Sequence, residues 1–416
     1  MKYYMYNLVV EDGLVAIMND IVSRYYGRWM HVSRSPSKYS YNIILQRCGQ
    51  EQVKIIDINT ASICLSGKYT PRRLVKMIEH ARAYLRLAVS WDKTAYRLDS
   101  HGEPLEEYSV HPAYDLFIWD KQVWLLNQLG LELSDPLLVN KRFGGLHYVY
   151  SGKNVVAELV VPDEGVRINL KMRKSAPSTT VSLHDTIEKN KPVIAKHVAI
   201  SRRFLESLGH PDIVIVSFSG GKDSLVALDL AVKHYGRELV RPIYIDTGVD
   251  FPTTRTYVSR IAEYYGISID TVYAPVKDYI ARYGLPTRKN RWCTLLKVGA
   301  FKKKLREYRD KYRRILVIVG DRDAESEKRS RKPPVRKRRD YLEVAPIKQW
   351  ATIHVQLYTM INDLPVNPLY EYGFYRLGCY ICPALTSLEK YVMVNKMMDE
   401  MKDLFWLNEY IRRGIY

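Results

Sequence analysis

The spacing of apolar and polar positions changes character near residue 180. Up to about residue 70, short apolar stretches such as YNIILQRCG and EQVKIIDIN alternate with polar breaks, a pattern of short strands and loops. From Pro71, RRLVKMIEHARAYLRLAV repeats its apolar residues at helical spacing. A less regular stretch with DSHGEPLEEYSVHPAYD follows. Strand-like pieces return between Leu129 and Met172 as LHYVYSG, NVVAELVV and GVRINLKM. Ser151-Gly152-Lys153-Asn154 reads as the hairpin turn between the first two, with Gly152 free to adopt positive φ. Ser175 to Thr180, SAPSTT, reads as a linker or exposed loop.

Beyond that point strand, polar loop and helix alternate. IAKHVAISRRFLESLGH predicts a helix closed by Gly209, and DIVIVSF is a continuous apolar run suited to a parallel strand buried on both faces. It ends in SGGKDS, followed by the helical LVALDLAVKHYG, the strand RPIYIDTG, the helix YVSRIAEYYG, and the strands SIDTVYAP and RRILVIVG. This order predicts an α/β fold, a doubly wound, mostly parallel sheet with a strand-rich N-terminal extension. Ligands are expected beyond the carboxyl ends of the strands. The expected divisions are an α+β region over 1–125, a small strand-rich region over 126–180, the loop-bearing domain over 181–390 and a helical tail over 391–416. No fixed-period repeat or low-complexity block interrupts them.

Composition narrows the class. Of 416 residues, 47% are hydrophobic and 26% charged, which excludes a disordered or collagen-like chain. The opening MKYYMYNLVVEDG lacks an apolar core and small-residue cleavage site, and no run reaches membrane-spanning length, so a soluble, cytoplasmic protein without a membrane partner is expected. Lysine and arginine number 64 against 45 acids, a net charge of +19, which favours a polyanionic partner and leaves RNA and a phosphorylated small molecule both open. Five cysteines are too few for a disulfide scaffold. Cys48 and Cys64 read as small buried hydrophobes in apolar strands. The ten histidines form no ligand-like cluster; His184, His197 and His354 read as surface or packing residues.

The candidate chemistry begins at Ser219-Gly220-Gly221-Lys222-Asp223-Ser224, between a buried strand and a helix. Two glycines allow a tight turn and a close backbone approach. The free N–H groups of the helix start, with the Ser219 and Ser224 hydroxyls, suit phosphate oxygens. Lys222 adds a point charge, and Asp223 is placed to orient the loop or hold a cation. The spacing is not the Walker pattern. Asp246 and Thr247 follow the next buried strand and fall at the same sheet edge, either to meet a ligand or to cap a turn. GDRDAESEKRSRKPPVRKRRD follows the ILVIV strand; Arg322 and Arg329, nearest the strand end, are the candidates for clamping a phosphate or sulfate. PPVRKRR reads as a lid or a nucleic-acid contact. Cys379 and Cys382 form a CxxC, and Cys293 precedes them. That spacing alone leaves a metal centre, a redox pair and two buried small residues open.

SGGKDS in this setting resembles the PP-loop of the ATP-pyrophosphatase superfamily. The blocks YIDTGVDFPTT, RWCTLLKV, GDRDAESEKR and LPVNPLYEYGFYRLGCYICP continue the resemblance, in family order, to the phosphoadenosine phosphosulfate (PAPS) reductase family over roughly 211–385. That resemblance implies an adenine nucleotide alpha-hydrolase-like fold binding ATP or another adenine nucleotide such as PAPS or adenosine phosphosulfate (APS). The nucleotide would contact Ser219, Gly220, Gly221, Lys222, Asp223, Ser224, Asp246, Thr247, Gly248, Glu325 and Ser326, with Lys222, Asp223, Arg322 and Arg329 as the catalytic set. Mg2+ would share the phosphate charge if ATP is the substrate. The family also implies that Cys293, Cys379 and Cys382 hold a 4Fe-4S cluster, with zinc as the alternative. Two departures are visible. The first cysteine block has Trp292-Cys293 where iron–sulfur members carry a cysteine pair, and no cysteine follows Cys382 where thioredoxin-dependent members use one in a Glu-Cys-Gly-Leu-His tail.

The front half is similar to an archaeal N-terminal extension with an RNA-binding PUA-like module. Lys141, Arg142, Lys153 and Arg167 suit an RNA surface, and Tyr148 and Tyr150 are either stacking groups or packed strand residues. The leading expectation is a sulfonucleotide-reducing enzyme. Its alternatives are ATP-dependent thiolation of tRNA or another RNA, and an RNA- or ribosome-associated binding protein with a regulatory nucleotide site. An electron- or sulfur-donor protein is an expected partner.

Overall fold

The computed structural model describes residues 4–67, 69–173, 180–401, 404, 407, 409 and 410. Of SAPSTT, only Thr180 is among them, and most of the tail beyond 401 lies outside the described residues.

The first sheet runs Met30–Ser33, Tyr6–Val10, Tyr41–Arg47, Thr60–Leu65, Gln52–Asp57 in spatial order. All of its pairings are parallel except the last. The helix Pro71–Leu87 covers it, with Pro71 in its first turn and the Thr70 hydroxyl accepting from the Arg73 N–H. Residues 12–29, expected as strand and loop, are instead helical turns around Val15–Ile21. Met18, Ile21, Val22 and Tyr26 bury at helical spacing there, but β-branched residues obscure the signal in so short a stretch. Cys48 and Cys64 are also corrected, because they form a disulfide. The parallel register sets Gln46 beside Cys64, and Cys48 lies just past that strand end, bringing the two Cα atoms to 5.4 Å.

The second sheet is an antiparallel run of Asp115–Trp119, Leu137–Lys141, Leu146–Ser151, Asn154–Val160 and Asn169–Met172. The expected Gly152 turn is present at φ +60°. Because Asp115–Trp119 is one of its strands, the expected boundary at residue 125 cuts through this sheet. Of its expected RNA face, Arg167 is exposed while the other residues are engaged within the fold. Tyr150 is fully buried, Arg142 stacks 3.8 Å over the Tyr148 ring, and Lys141 lies 4.3 Å over Tyr375. Lys153 pairs with Glu103.

The third sheet has the order Asp270–Tyr273, Val240–Asp246, Ile213–Ser217, Ile315–Ile318, Leu342–Val344, Val335–Lys337. Every pairing is parallel but the last. This is the doubly wound α/β fold. Ile213, Val214, Ile215 and Val216 are buried, as a central strand requires. Helices Lys222–Tyr235, Pro252–Tyr265, Trp292–Arg309 and Thr352–Ile361 wrap the sheet. The helix before it begins at Leu183, earlier than expected, capped by the Ser182 hydroxyl. His197 and His354 are buried against each other with ring centroids 4.3 Å apart, the packing role expected of them. One hydrophobic core takes in Ile43, Leu116, Tyr150, Val214 and Trp350, so the three sheets are packed together. Among the described residues no helix is long and apolar enough to cross a membrane.

Candidate functional site

The Ile213–Ser217 strand delivers Ser219-Gly220-Gly221 to the N-terminus of the helix Lys222–Tyr235. Gly220 has φ +74°, and a Cβ there would come within 2.7 Å of Thr254 Cγ2, so the turn requires glycine. The Ser224 hydroxyl donates to the Gly221 carbonyl (2.8 Å) and accepts from the Ser219 N–H (3.2 Å), bracing the loop across its mouth. The helix dipole and free amides favour an anion here. One amide is already engaged: Lys222 N–H donates to the Tyr370 hydroxyl at 3.0 Å. Gly320, at the end of the neighbouring strand, lets that strand lie against the loop, since a Cβ would sit 2.8 Å from the Asp223 carbonyl.

Behind the loop lies a buried charge network that draws on the front half of the chain. The Arg322 side chain is 1% exposed; its Nε donates to Asp223 (2.7 Å), Nη2 to Thr352 Oγ1 (2.8 Å), and Nη1 lies 3.4 Å from Asp115. Asp115, from the second sheet, is wholly buried and accepts from the Tyr375 hydroxyl (2.5 Å) and from Thr352 N–H (2.9 Å) and Oγ1 (2.7 Å). Burial would raise both carboxyls, but Arg322 and the hydrogen bonds overcome it and hold Asp115 and Asp223 below the ordinary carboxylate range. Lys222 Nζ donates to the Tyr375 carbonyl (3.0 Å), 3.5 Å from Asp223, and burial pushes its pKa down, as it does that of Lys141. Lys141, Lys222 and Arg322 thus converge with Asp115 and Asp223 behind the loop. A cavity of about 430 Å3 opens beside Lys222 and is walled by Phe117, Trp119, Gln356, Tyr370 and Tyr375.

The arginine block is arranged differently from expectation. Arg322 is too enclosed to clamp a phosphate and positions Asp223 instead. Glu325 accepts from the Arg322 N–H (3.1 Å) and pairs with Arg329, while the Ser326 hydroxyl caps the Arg329 N–H, so both are spent on local structure. Arg329, 37% exposed, is held by Glu325 and by Asp321 at 3.1 Å. At the next strand end, Asp246 accepts from the Gly248 N–H (2.8 Å) and pairs with Arg255 (3.2 Å). Thr247 donates through both N–H and hydroxyl to Asp250 (2.7 Å each).

Thr247 also touches the cysteine cluster, with its hydroxyl 3.3 Å from Cys379 Sγ. Lys297 Nζ reaches the same sulfur at 3.1 Å from the helix Trp292–Arg309, one turn after Cys293. Burial pushes the Cys379 thiol up to about 12, against the pull of Lys297, and raises Cys293 as well. Cys382 is half-buried, its N–H donating to the Cys379 carbonyl (3.0 Å). Among the described residues no group of three His, Cys, Asp or Glu side chains has metal-site geometry, so the cluster and zinc expectations find no support in this arrangement.

Residues 213–385 match the family profile described as the phosphoadenosine phosphosulfate reductase domain. These residues form a PAPS-reductase-like domain. An uncharacterized protein of Methanocaldococcus jannaschii is 36% identical over 207 residues, 47% of this chain and 41% of that protein, so the chain spans less than half of that relative. The phosphoadenosine 5'-phosphosulfate reductase of Xanthomonas campestris is 29% identical over 175 residues, 40% of this chain and 70% of the reductase. The PAPS reductase structure from Candida auris is 19% identical, covers 49% of this chain and 98% of that one, and superposes with a TM-score of 0.36. The domain is a PP-loop nucleotide domain related to enzymes of sulfur metabolism. Asp115, Thr352, Tyr370, Tyr375 and Lys297 belong to its site although sequence reasoning did not single them out. Tyr370 and Tyr375 lie in the block that carries the family resemblance, and Lys297 in RWCTLLKV. Asp115 has only the weak signal of an acid heading an otherwise apolar strand, DLFIW.

Proposed function

We propose that the chain binds an adenylylated sulfate through the Ser219–Ser224 loop and reduces its sulfonate with the Cys379–Cys382 thiol pair. One observation carries the reading: a single segment, 367–382, places Tyr370 on the loop amide, the Tyr375 carbonyl on Lys222, and Cys379 on Thr247 at the neighbouring strand end. Phosphate site and thiols are thereby joined at one sheet edge. Lys222 and the loop amides stabilise the phosphate that leaves. The half-buried Cys382 loses its proton to solvent and attacks the sulfonate sulfur; the sulfur–oxygen bond to the nucleotide breaks, and the nucleotide departs with that electron pair. The Cys379 thiol then attacks Cys382 sulfur, forming a disulfide and releasing sulfite. An external dithiol, from a donor protein or small molecule, restores both thiols.

The test is sulfite and adenine-nucleotide release from APS and from PAPS in the presence of dithiothreitol. Wild type releases both in equal amounts. C382S releases neither, and C379S, in a single turnover with dithiothreitol left out, releases nucleotide but retains a sulfonated Cys382 visible by mass spectrometry. Absence of sulfite with either substrate, or stoichiometric iron and sulfide in anaerobically purified protein, refutes the two-thiol route. A second reading, ATP-dependent thiolation of an RNA base, is favoured by the net charge of +19. It requires pyrophosphate release from ATP only when RNA is present.

A further inference from the structure

A wide cleft among the described residues lies away from the phosphate loop. It has a volume of about 900 Å3 and runs along the amino ends of the Ile213–Ser217 and Ile315–Ile318 strands, opposite the edge that carries Ser219. One wall is the helical segment around Tyr25; the other is the ribbon from Arg331 to Leu342. A second depression of about 440 Å3 adjoins it across Arg338, Arg339 and Tyr341 and continues onto the helix Trp292–Arg309.

The charge of these walls is unbalanced. Lys302, Arg306, Arg313, Lys337 and Arg339 line the two depressions, are all exposed, and have no ion-pair partner among the described residues. Other cations there are neutralised locally: Arg314 by Asp212 at 3.0 Å, and Arg338 by Glu343 at 3.0 Å. Asp340 is the acid in the lining, and it faces Arg309 at 3.6 Å. Unpaired cations lining adjoining depressions gain when a polyanion replaces their counterions. Two adjoining depressions offer more positive charge than one phosphate needs. Tyr25, 54% exposed, and Tyr341 add ring faces in the same cleft. A single strand can lay phosphates on the cations and its unpaired bases on the rings, which a duplex keeps stacked within its own helix.

We infer that this cleft binds a single-stranded polynucleotide, along the edge of the sheet remote from the nucleotide site. It extends the proposed sulfonucleotide chemistry without depending on it. The role assigned to PPVRKRR is thereby a nucleic-acid contact rather than a lid over the phosphate loop.

The test uses the full chain and fluorescence anisotropy with labelled oligouridylate and oligothymidylate of roughly 12 nucleotides, within the range of single-strand site sizes. Neutralising five phosphates gives a log–log salt slope of about −3.5, so affinity falls roughly a hundredfold between about 50 and about 200 mM salt. The triple variant R313A/K337A/R339A lowers the magnitude of that slope by about 2. Y25A weakens binding by about fivefold or more with the slope unchanged, because stacking releases no ions. In each variant, adenine-nucleotide binding at the Ser219–Ser224 loop stays at the wild-type value. Three results overturn the inference: no binding of either oligonucleotide at low salt, an unchanged slope in the triple variant, or polyglutamate binding as tightly as the oligonucleotide with no effect of Y25A. The last would assign the cleft to an acidic protein segment. Preference between the RNA and DNA probes identifies the sugar.

Discussion

Replacing Asp115 by asparagine changes one charge in a side chain of nearly the same shape, in a region of the chain well before the phosphate loop. The carboxylate lies 3.4 Å from Arg322 and accepts three further hydrogen bonds, from Tyr375 and from the N–H and hydroxyl of Thr352. The asparagine can accept some of these, but it leaves the Arg322 guanidinium, 1% exposed, with Asp223 as its remaining carboxylate. Breaking one partner of a buried pair costs roughly 3–5 kcal/mol. D115N is therefore expected to lose about 3 kcal/mol in urea unfolding, whereas R24A, which breaks an exposed pair, loses at most about 1 kcal/mol. The pH dependence has a defined sign. Because the folded state holds Asp115 below its unfolded pKa of about 3.9, its contribution is complete above that value and is lost as pH falls towards the lower folded pKa. D115N removes this part of the acid destabilisation, so its stability difference from wild type narrows below about pH 4. Combining D115N with R322M should cost less than the sum of the single changes, since the double variant removes the buried cation along with its partner. A loss below about 1 kcal/mol for D115N at neutral pH, or strict additivity with R322M, would refute the network as a coupled unit.

G220A should destabilise by about 1–3 kcal/mol and abolish adenine-nucleotide binding by calorimetry, because φ +74° and a 2.7 Å approach to Thr254 leave no room for a methyl group. Y370F frees the Lys222 amide for phosphate, and a two- to tenfold tighter nucleotide affinity is expected from the roughly 0.5–1.5 kcal/mol such a bond contributes; weaker binding would show that the hydroxyl aids the ligand instead. With its thiol pushed up to about 12, Cys379 should resist iodoacetamide at pH about 8 while the half-buried Cys382 reacts, as read by peptide mass spectrometry. Residues 181–416 expressed alone should give no cooperative unfolding transition, because Leu116, Ile118 and Tyr150 complete the core shared with Val214; a cooperative transition would separate the two halves.

The parallel sheet could be read from the chain because its signals are local. A run such as DIVIVSF is apolar throughout and is followed at once by a glycine-rich turn and a helical repeat, so each piece announces its neighbour. SGGKDS was legible for the same reason. The roles of Arg322 and Glu325 were not, because a side chain's direction depends on what the rest of the fold sets beside it. Arg322 looked like a free cation until Asp115 and Thr352 closed around it from 207 and 30 residues away in sequence. The cysteines illustrate the same limit twice. CxxC spacing allowed a metal or a redox pair and gave no sign of Lys297, which another helix sets 3.1 Å from Cys379 Sγ. Cys48 and Cys64 gave no sign of pairing because their bond depends on a parallel register between strands separated by a hairpin.

The front half is bound to the loop-bearing half by buried polar contacts as well as by packing, and this bears on what it is for. Arg82, on the helix Pro71–Leu87, reaches Asp323 at 2.5 Å, and Lys348 meets the same carboxylate at 3.0 Å. Tyr6, in the first sheet, donates to Gln349 at 2.5 Å. Asp323 immediately follows Arg322, so its anchorage fixes the backbone from which Arg322 reaches Asp223. The helix that covers the first sheet thus holds Asp323, the second sheet supplies Asp115, and both converge on the segment that orients the loop. A tethered binding module would need none of these buried pairs, which lose their compensation if the halves separate. The front half acts instead as the rear wall of the nucleotide site, and the basic cleft lies where its helical segment at Tyr25 meets the far edge of the parallel sheet.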